Sequence, residues 1–249
     1  MARILFWCML ALTGLLLLQA QGEGEKQSPI NIQTANVQNN EALGVLNKGY
    51  SAAHATMINK GYEIQVAWSE YAGSVVIEGV EYKLSQSHWH QPSEHTINGL
   101  RYPFELHMVH ISDDGSIAVI GILYEFGKPD DFLTKLEWAI HKIGQPHAED
   151  IDLHSVNPND IGLRRDEAYY RYSGSLTTYP FNEEVTWTVI KHPKTATPEQ
   201  VRDLWNALNG KANSREVQPL NGRVVEEYEP LVDISETYKA RQTILSGSS

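Results

Sequence analysis

The chain has 249 residues, 41% of them hydrophobic and 20% charged, and a formal net charge of −11. That length builds one large domain or two small ones around a sizeable core, with the composition of a folded globular protein. The acidic balance, with no cluster of Lys and Arg, excludes a nucleic-acid-binding surface, which needs a basic patch.

The chain opens with Arg3, an apolar run from Ile4 to Leu18 and small residues at Ala20 and Gly22. This is the pattern of a secretory signal peptide over residues 1–22, and the run is shorter than the ~20 residues of a membrane-spanning helix. Cleavage leaves a mature domain over residues 23–249, with no membrane span, bound for the outside of the cell or an organelle reached through the secretory pathway. Cys8, the only cysteine, lies inside the leader, so the mature domain has no disulfide.

Short strands follow. Residues 62–68, 74–79, 81–90, 104–111 and 116–126 alternate or are rich in β-formers, with turn residues between them. The segment 129–144 reads as a helix with Phe132, Leu133, Leu136, Ile140 and Ile143 on one side. Residues 185–192 are another strand. A second helix over 197–210 opens with a Thr-x-x-Gln capping box and Pro198, and has Val201, Leu204, Trp205 and Leu208 as its apolar face. The expected fold is α+β and β-rich: one domain with a large twisted, mostly antiparallel central sheet and a few flanking helices.

Five of the ten histidines fall in "QSHWHQPSEHTINGLRYPFELHMVH", residues 86–110. On a strand, residues i and i+2 share a face. His88 and His90 therefore project together, and Glu105, His107 and Val109 share a face of the next strand, across an Asn98-Gly99 turn signal. If the two strands pair, His107 comes beside His88 and His90. Three imidazoles with a fourth position open to water are the form of a catalytic zinc site. An isolated H-x-H is weak, and spacing alone also fits three hydrogen-bonded strand histidines. Gln86 and Glu105, each two residues before a histidine, can accept imidazole N–H bonds or can be a polar face turned to water.

The stretches "QSPINI", "QSHWHQPSEHTING", "YSGSLTTYP", "VTWTVIKHP" and "QPLNGR" resemble the α-class carbonic anhydrases, most closely the secreted plant forms, in register from about residue 26 to about residue 230. The resemblance implies Zn2+ held by His88, His90 and His107, with Gln86 and Glu105 orienting the rings. It implies Thr177 and Glu94 as the catalytic pair, Thr177 directing zinc-bound hydroxide and Glu94 accepting the Thr177 proton. Thr178 and the apolar Val109, Val119, Leu176, Val185 and Trp187 would form the substrate pocket, while His95 and His110 fall on structural positions. The implied reaction is reversible hydration of carbon dioxide to bicarbonate and a proton, with no nucleic-acid partner. The alternatives are a catalytically weak storage or binding protein on the same fold, or slow ester hydrolysis at the same site.

Three departures bear on that reading. Tyr62 occupies the position of the family's histidine proton shuttle; a phenol ionises near ~10 and an imidazole near ~6.5, so slower, buffer-dependent turnover is expected. The tens of residues that precede "QSPI" in the family are missing, which implies a less stable domain, a more open rim or an omitted exon. Phe181 stands where secreted relatives carry a disulfide cysteine, and Tyr179 replaces a proline at the mouth of the site.

Overall fold

In this computed structural model the described residues are 24–144 and 149–230; the expected signal peptide lies outside them. In chain order the strands are β1 (Asn31–Ile32), β2 (Gln38–Asn39), β3 (Asn47–Tyr50), β4 (Ala53–Asn59), β5 (Ile64–Trp68), β6 (Gly73–Ile77), β7 (Val80–His90), β8 (Thr96–Ile97), β9 (Leu100–Arg101), β10 (Phe104–Ile111) and β11 (Ile117–Phe126). After helix α1 (Asp131–Lys142) come β12 (Ile151–Val156), β13 (Tyr169–Ser175), β14 (Glu183–Ile190) and β15 (Lys194–Ala196), then helix α2 (Pro198–Ala207) and β16 (Glu226–Tyr228).

One large sheet runs β12-β4-β5-β7-β10-β11-β14-β13-β16-β2, with β3, β6 and β15 on side branches. Its pairs are antiparallel except β11 with β14, β11 with β15, and β16 with β2. The parallel β11–β14 step follows from the long connection that carries α1, since parallel neighbours need a crossover. The expected mostly antiparallel, β-rich single domain is the one observed.

Alternation assigns each face a purpose. Residues such as Trp89, Leu106, Met108, Ile120 and Ile122 point to one side of the sheet and pack with Phe132, Leu133 and Leu136 of α1 and Leu204 of α2. The Trp89 and Phe132 rings lie 6.0 Å apart. The other side carries Val109, Val119, Val185, Trp187 and Tyr172. β10 is thus buried on both faces, with only its last residue exposed, and forms the floor between the core and the site.

Asp130 caps α1 by accepting from the Leu133 N–H. At α2 the capping box closes as the sequence predicts, Thr197 and Gln200 each bonding the other's backbone N–H. The predicted apolar face of α2 needs one correction. Trp205 is 36% exposed, while Leu204 and Ala207 are buried and Leu208 follows them inward. The stripe 201–204–208 passes beside position 205, and Trp205 covers Gly210 at the helix end instead. Asn98 and Gly99 form the predicted turn between β8 and β9, both with positive φ (51° and 80°).

Candidate metal centre and apolar pocket

β7 and β10 pair so that His107 lies directly opposite His88 and Glu105 opposite His90. Because side chains alternate, all three histidines project to the side away from the helices. Their ring centroids are 4.9 Å (His88–His90), 5.3 Å (His88–His107) and 4.7 Å (His90–His107) apart. One nitrogen from each lies within 4.8 Å of the others.

A partner turns each ring. His88 Nδ1 donates to Gln86 Oε1 (2.8 Å), His90 Nδ1 to the Asn213 carbonyl (3.0 Å) and His107 Nε2 to Glu105 Oε1 (2.9 Å). These bonds fix the tautomers and leave His88 Nε2, His90 Nε2 and His107 Nδ1 as lone-pair donors. Burial lowers the pKa of all three rings, most for His88, where His90 and His107 add to the effect. Neutral imidazole is the form that binds metal. His90 Nε2 is buried with no hydrogen-bond partner, an orphan that a metal ion would satisfy. A three-nitrogen set of this kind fits zinc.

Glu105 joins the site to the frame behind it. Its Oε1 also accepts from His95 Nδ1 (2.7 Å), and its Oε2 accepts from the backbone N–H groups of Glu94 and His95 (2.9 and 2.8 Å). Burial alone would push this carboxyl up; His95 and His107 outweigh it and hold the group well below the ordinary carboxylate range. The His95 ring is in turn anchored at Nε2 by the Tyr172 hydroxyl (2.6 Å), so His95 is a structural bridge. His110 is one too, its Nε2 2.8 Å from the Tyr50 hydroxyl.

Gly121 is the residue opposite His107 on β11. A Cβ there would come within 2.9 Å of Glu105 Oε1 and 3.5 Å of the Trp187 ring. Glycine gives the clearance: this carboxylate is pinned by four bonds and could step aside only by giving some of them up. Gly121→Ala is expected to turn Glu105 away from His107 and weaken zinc binding by about tenfold, the lower end for loss of a ligand's orienting partner. Zinc competition with a fluorescent chelator checks this; unchanged affinity would mean the carboxylate adapts.

Glu94 lies beneath the triad, its Oε1 3.4 Å from His90 Nδ1 and its Oε2 3.9 Å from His107 Nδ1. It accepts the Arg215 backbone N–H at 2.8 Å. Burial raises the carboxyl to about 7, opposed by His107, the Arg215 N–H and the Thr177 hydroxyl. A raised folded-state pKa gives stability that is full below about 4.5 and lost as pH climbs through about 7. Glu94→Gln cannot ionise. In metal-free protein its stability relative to wild type should rise across that window by on the order of 3 kcal/mol. Urea midpoints at about pH 5 and about pH 8 test it; a pH-independent difference would contradict the shift.

Val109, Val119, Leu176, Val185 and Trp187 fall in one hydrophobic cluster. Val109 faces Val119 across β10–β11, and Val119 is in register with Trp187 across β11–β14. The Trp187 ring meets the His107 ring edge-on at 4.8 Å. Val185 and the partly buried Leu176 belong to the same cluster. Thr177 is buried, and Thr178 lines a cavity of about 160 Å³ with His90, Leu208 and Lys211. Tyr62, 55% exposed, stands at this cavity's edge, and Tyr179 is 85% exposed. Phe181, at the position of the absent cysteine, lies under the Arg215 guanidinium, 3.9 Å from ring centroid to Cζ. That cation–π contact ties the segment after Thr178 to the chain beyond Asn213.

Sequence reasoning missed Asn213 and Arg215, which act through a backbone carbonyl and a backbone N–H and so leave no mark of residue type. It also missed Glu63, which is buried, 3.0 Å from Lys60 Nζ and 3.9 Å from His88 Nε2.

Comparison with known proteins agrees with this geometry. Residues 17–229 match the family model described as eukaryotic-type carbonic anhydrase. The chain is 42% identical over 215 residues to alpha carbonic anhydrase 7 of Arabidopsis thaliana, covering 85% of this chain and 77% of that one. It is 44% identical over 206 residues to dioscorin DB3L of Dioscorea polystachya, covering 82% and 76%. Among solved structures, dioscorin complexed with ascorbate superposes with a TM-score of 0.81 at 38% identity, covering 85% of this chain and 89% of that one. The alpha-carbonic anhydrase of Thermovibrio ammonificans with the inhibitor sulfanilamide gives 0.74 at 36% identity, covering 82% and 87%. The chain belongs to the eukaryotic-type, α-class carbonic anhydrase family.

Proposed function

We propose that this chain is a secreted, zinc-dependent carbonic anhydrase that hydrates carbon dioxide reversibly to bicarbonate and a proton. The observation that carries the reading is the convergence of three buried, neutral imidazole nitrogens, each left free by a hydrogen bond to the ring's other nitrogen. His88, His90 and His107 would hold the ion. Zinc supplies Lewis acidity, making a water molecule acidic enough to serve as nucleophile near neutral pH.

The remaining work belongs to the chain. Glu94 accepts a hydrogen bond from the Thr177 hydroxyl, which leaves the Thr177 oxygen turned to accept a hydrogen bond from the attacking group and so to orient its lone pair. Val109, Val119, Leu176, Val185 and Trp187 receive uncharged carbon dioxide on an apolar surface, with Thr178 as the polar edge. The released proton leaves past Tyr62, where no imidazole stands ready to take it. Secretion rests on the leader pattern at residues 1–22; among the described residues no helix is long and apolar enough to cross a membrane.

The test is stopped-flow carbon dioxide hydration by the zinc-loaded protein, with and without sulfanilamide. Sulfanilamide-sensitive hydration supports the proposal. A second reading, a storage or binding protein of low activity, draws support from the likeness to the dioscorins. A folded, zinc-loaded chain without hydration activity would favour it.

A further inference from the structure

Arg171 is a buried charge that the metal centre does not use. It lies on β13, in register with Glu226 of β16, and is 8% exposed. Its guanidinium carbon sits 5.2 Å from the Tyr169 ring centroid. Its Nε is enclosed without a hydrogen-bond partner, and among the described residues no carboxylate reaches it within 4.0 Å. Glu226, its partner in register, has one oxygen engaged elsewhere: Oε1 accepts from Asn40 Nδ2 at 2.7 Å. Glu78 is exposed on the β6–β7 turn.

The guanidinium borders a cavity of about 260 Å³ that shares no residue with the metal centre. Leu46, Ile77 and the Tyr169 ring give it an apolar side, Asn40 and Asn47 add amides, and Glu78 and Glu226 also line it. A buried arginine without a partner is costly, and its planar fork matches a carboxylate in two-point fashion. We propose that this cavity binds a small planar monoanion, a carboxylate or bicarbonate, on Arg171.

Two carboxylates, Glu78 and Glu226, lie near enough to act on the guanidinium electrostatically. With Arg171 they leave a local charge of −1. Dianions such as sulfate are therefore disfavoured relative to a monoanion.

The probe is the Arg171 Nε–H resonance of the full, zinc-loaded chain, titrated with butyrate, bicarbonate and sulfate at constant ionic strength. Binding of anions at the metal leaves this distant signal in place. The proposal expects a saturable shift with butyrate or bicarbonate, the tighter of the two naming the ligand. It also expects tightening of at least about threefold in Glu78→Gln, the size of one partly screened like charge. Isothermal titration of Arg171→Met, with the metal site blocked by sulfanilamide, should show the binding lost. If Arg171→Met does not fold, Arg171→Lys and Glu78→Gln carry the test. No saturable shift, equal binding of sulfate (an adventitious ion only), or binding that survives in the folded Arg171 variant would overturn the proposal.

Discussion

Replacing His107 by alanine should remove zinc and carbon dioxide hydration together while the fold survives. Structural zinc sites bind with about 10–16 kcal/mol shared among four ligands, so each ligand accounts for roughly 2.5–4 kcal/mol, or about a hundredfold to a thousandfold in affinity. His88 and His90 remain correctly turned in the variant, because Gln86 and Asn213 hold them independently of His107. Glu105 also stays satisfied: it keeps His95 and two backbone N–H groups after losing one imidazole. The loss should therefore appear in zinc stoichiometry and hydration rate, with an unchanged far-ultraviolet circular dichroism spectrum. A folded variant that still carries one tightly held zinc and wild-type activity would refute the assignment of His107 as a ligand.

The same residues show how far sequence carries. Alternation places His88 and His90 on one face, and the β7–β10 pairing brings His107 to meet them; the Asn98-Gly99 turn closes the separate β8–β9 hairpin within the connection between those strands. The roles of Thr177 and Glu94 had no local signal and came only from resemblance. Asn213 and Arg215 were illegible for a deeper reason: they meet the site through a backbone carbonyl and N–H, and the side chains that hold them there, the Asn213 amide on Trp89 and Gln91 and the Arg215 guanidinium on Gln27 and Ser28, find partners far away in sequence. Their value lies in where a long irregular segment happens to pass.

The fold repeats the lesson. β4 and β13 went unread because "AHATMIN" and "YYRYSGS" mix small, polar and aromatic residues, and their burial is decided by neighbours rather than by hydropathy. Gly121 reads in sequence as a weak point within an apolar strand. In the structure it is the clearance that lets Glu105 stand behind His107.

Restoring an imidazole at the cavity's edge should release the slow step. Tyr62 is an exposed side chain on a cavity that His90 and Thr178 also line. A phenol keeps its proton through neutral pH, whereas an imidazole titrates there and can accept a proton from one side and pass it to buffer on the other. Wild-type turnover is expected to be low in weak buffer and to climb when imidazole is added, because buffer must collect the proton directly. Tyr62→His should raise turnover in weak buffer by about tenfold to a hundredfold, in the lower range of general acid–base effects, and should blunt the imidazole response. Its kcat/KM should barely change, since hydration itself does not involve residue 62; this split separates proton export from a general repair of the site. Stopped-flow hydration across a buffer series makes the measurement. If wild-type turnover is already fast in weak buffer and indifferent to imidazole, another route carries the proton, and buried Glu63, which pairs with exposed Lys60 beside His88, is then the first place to look.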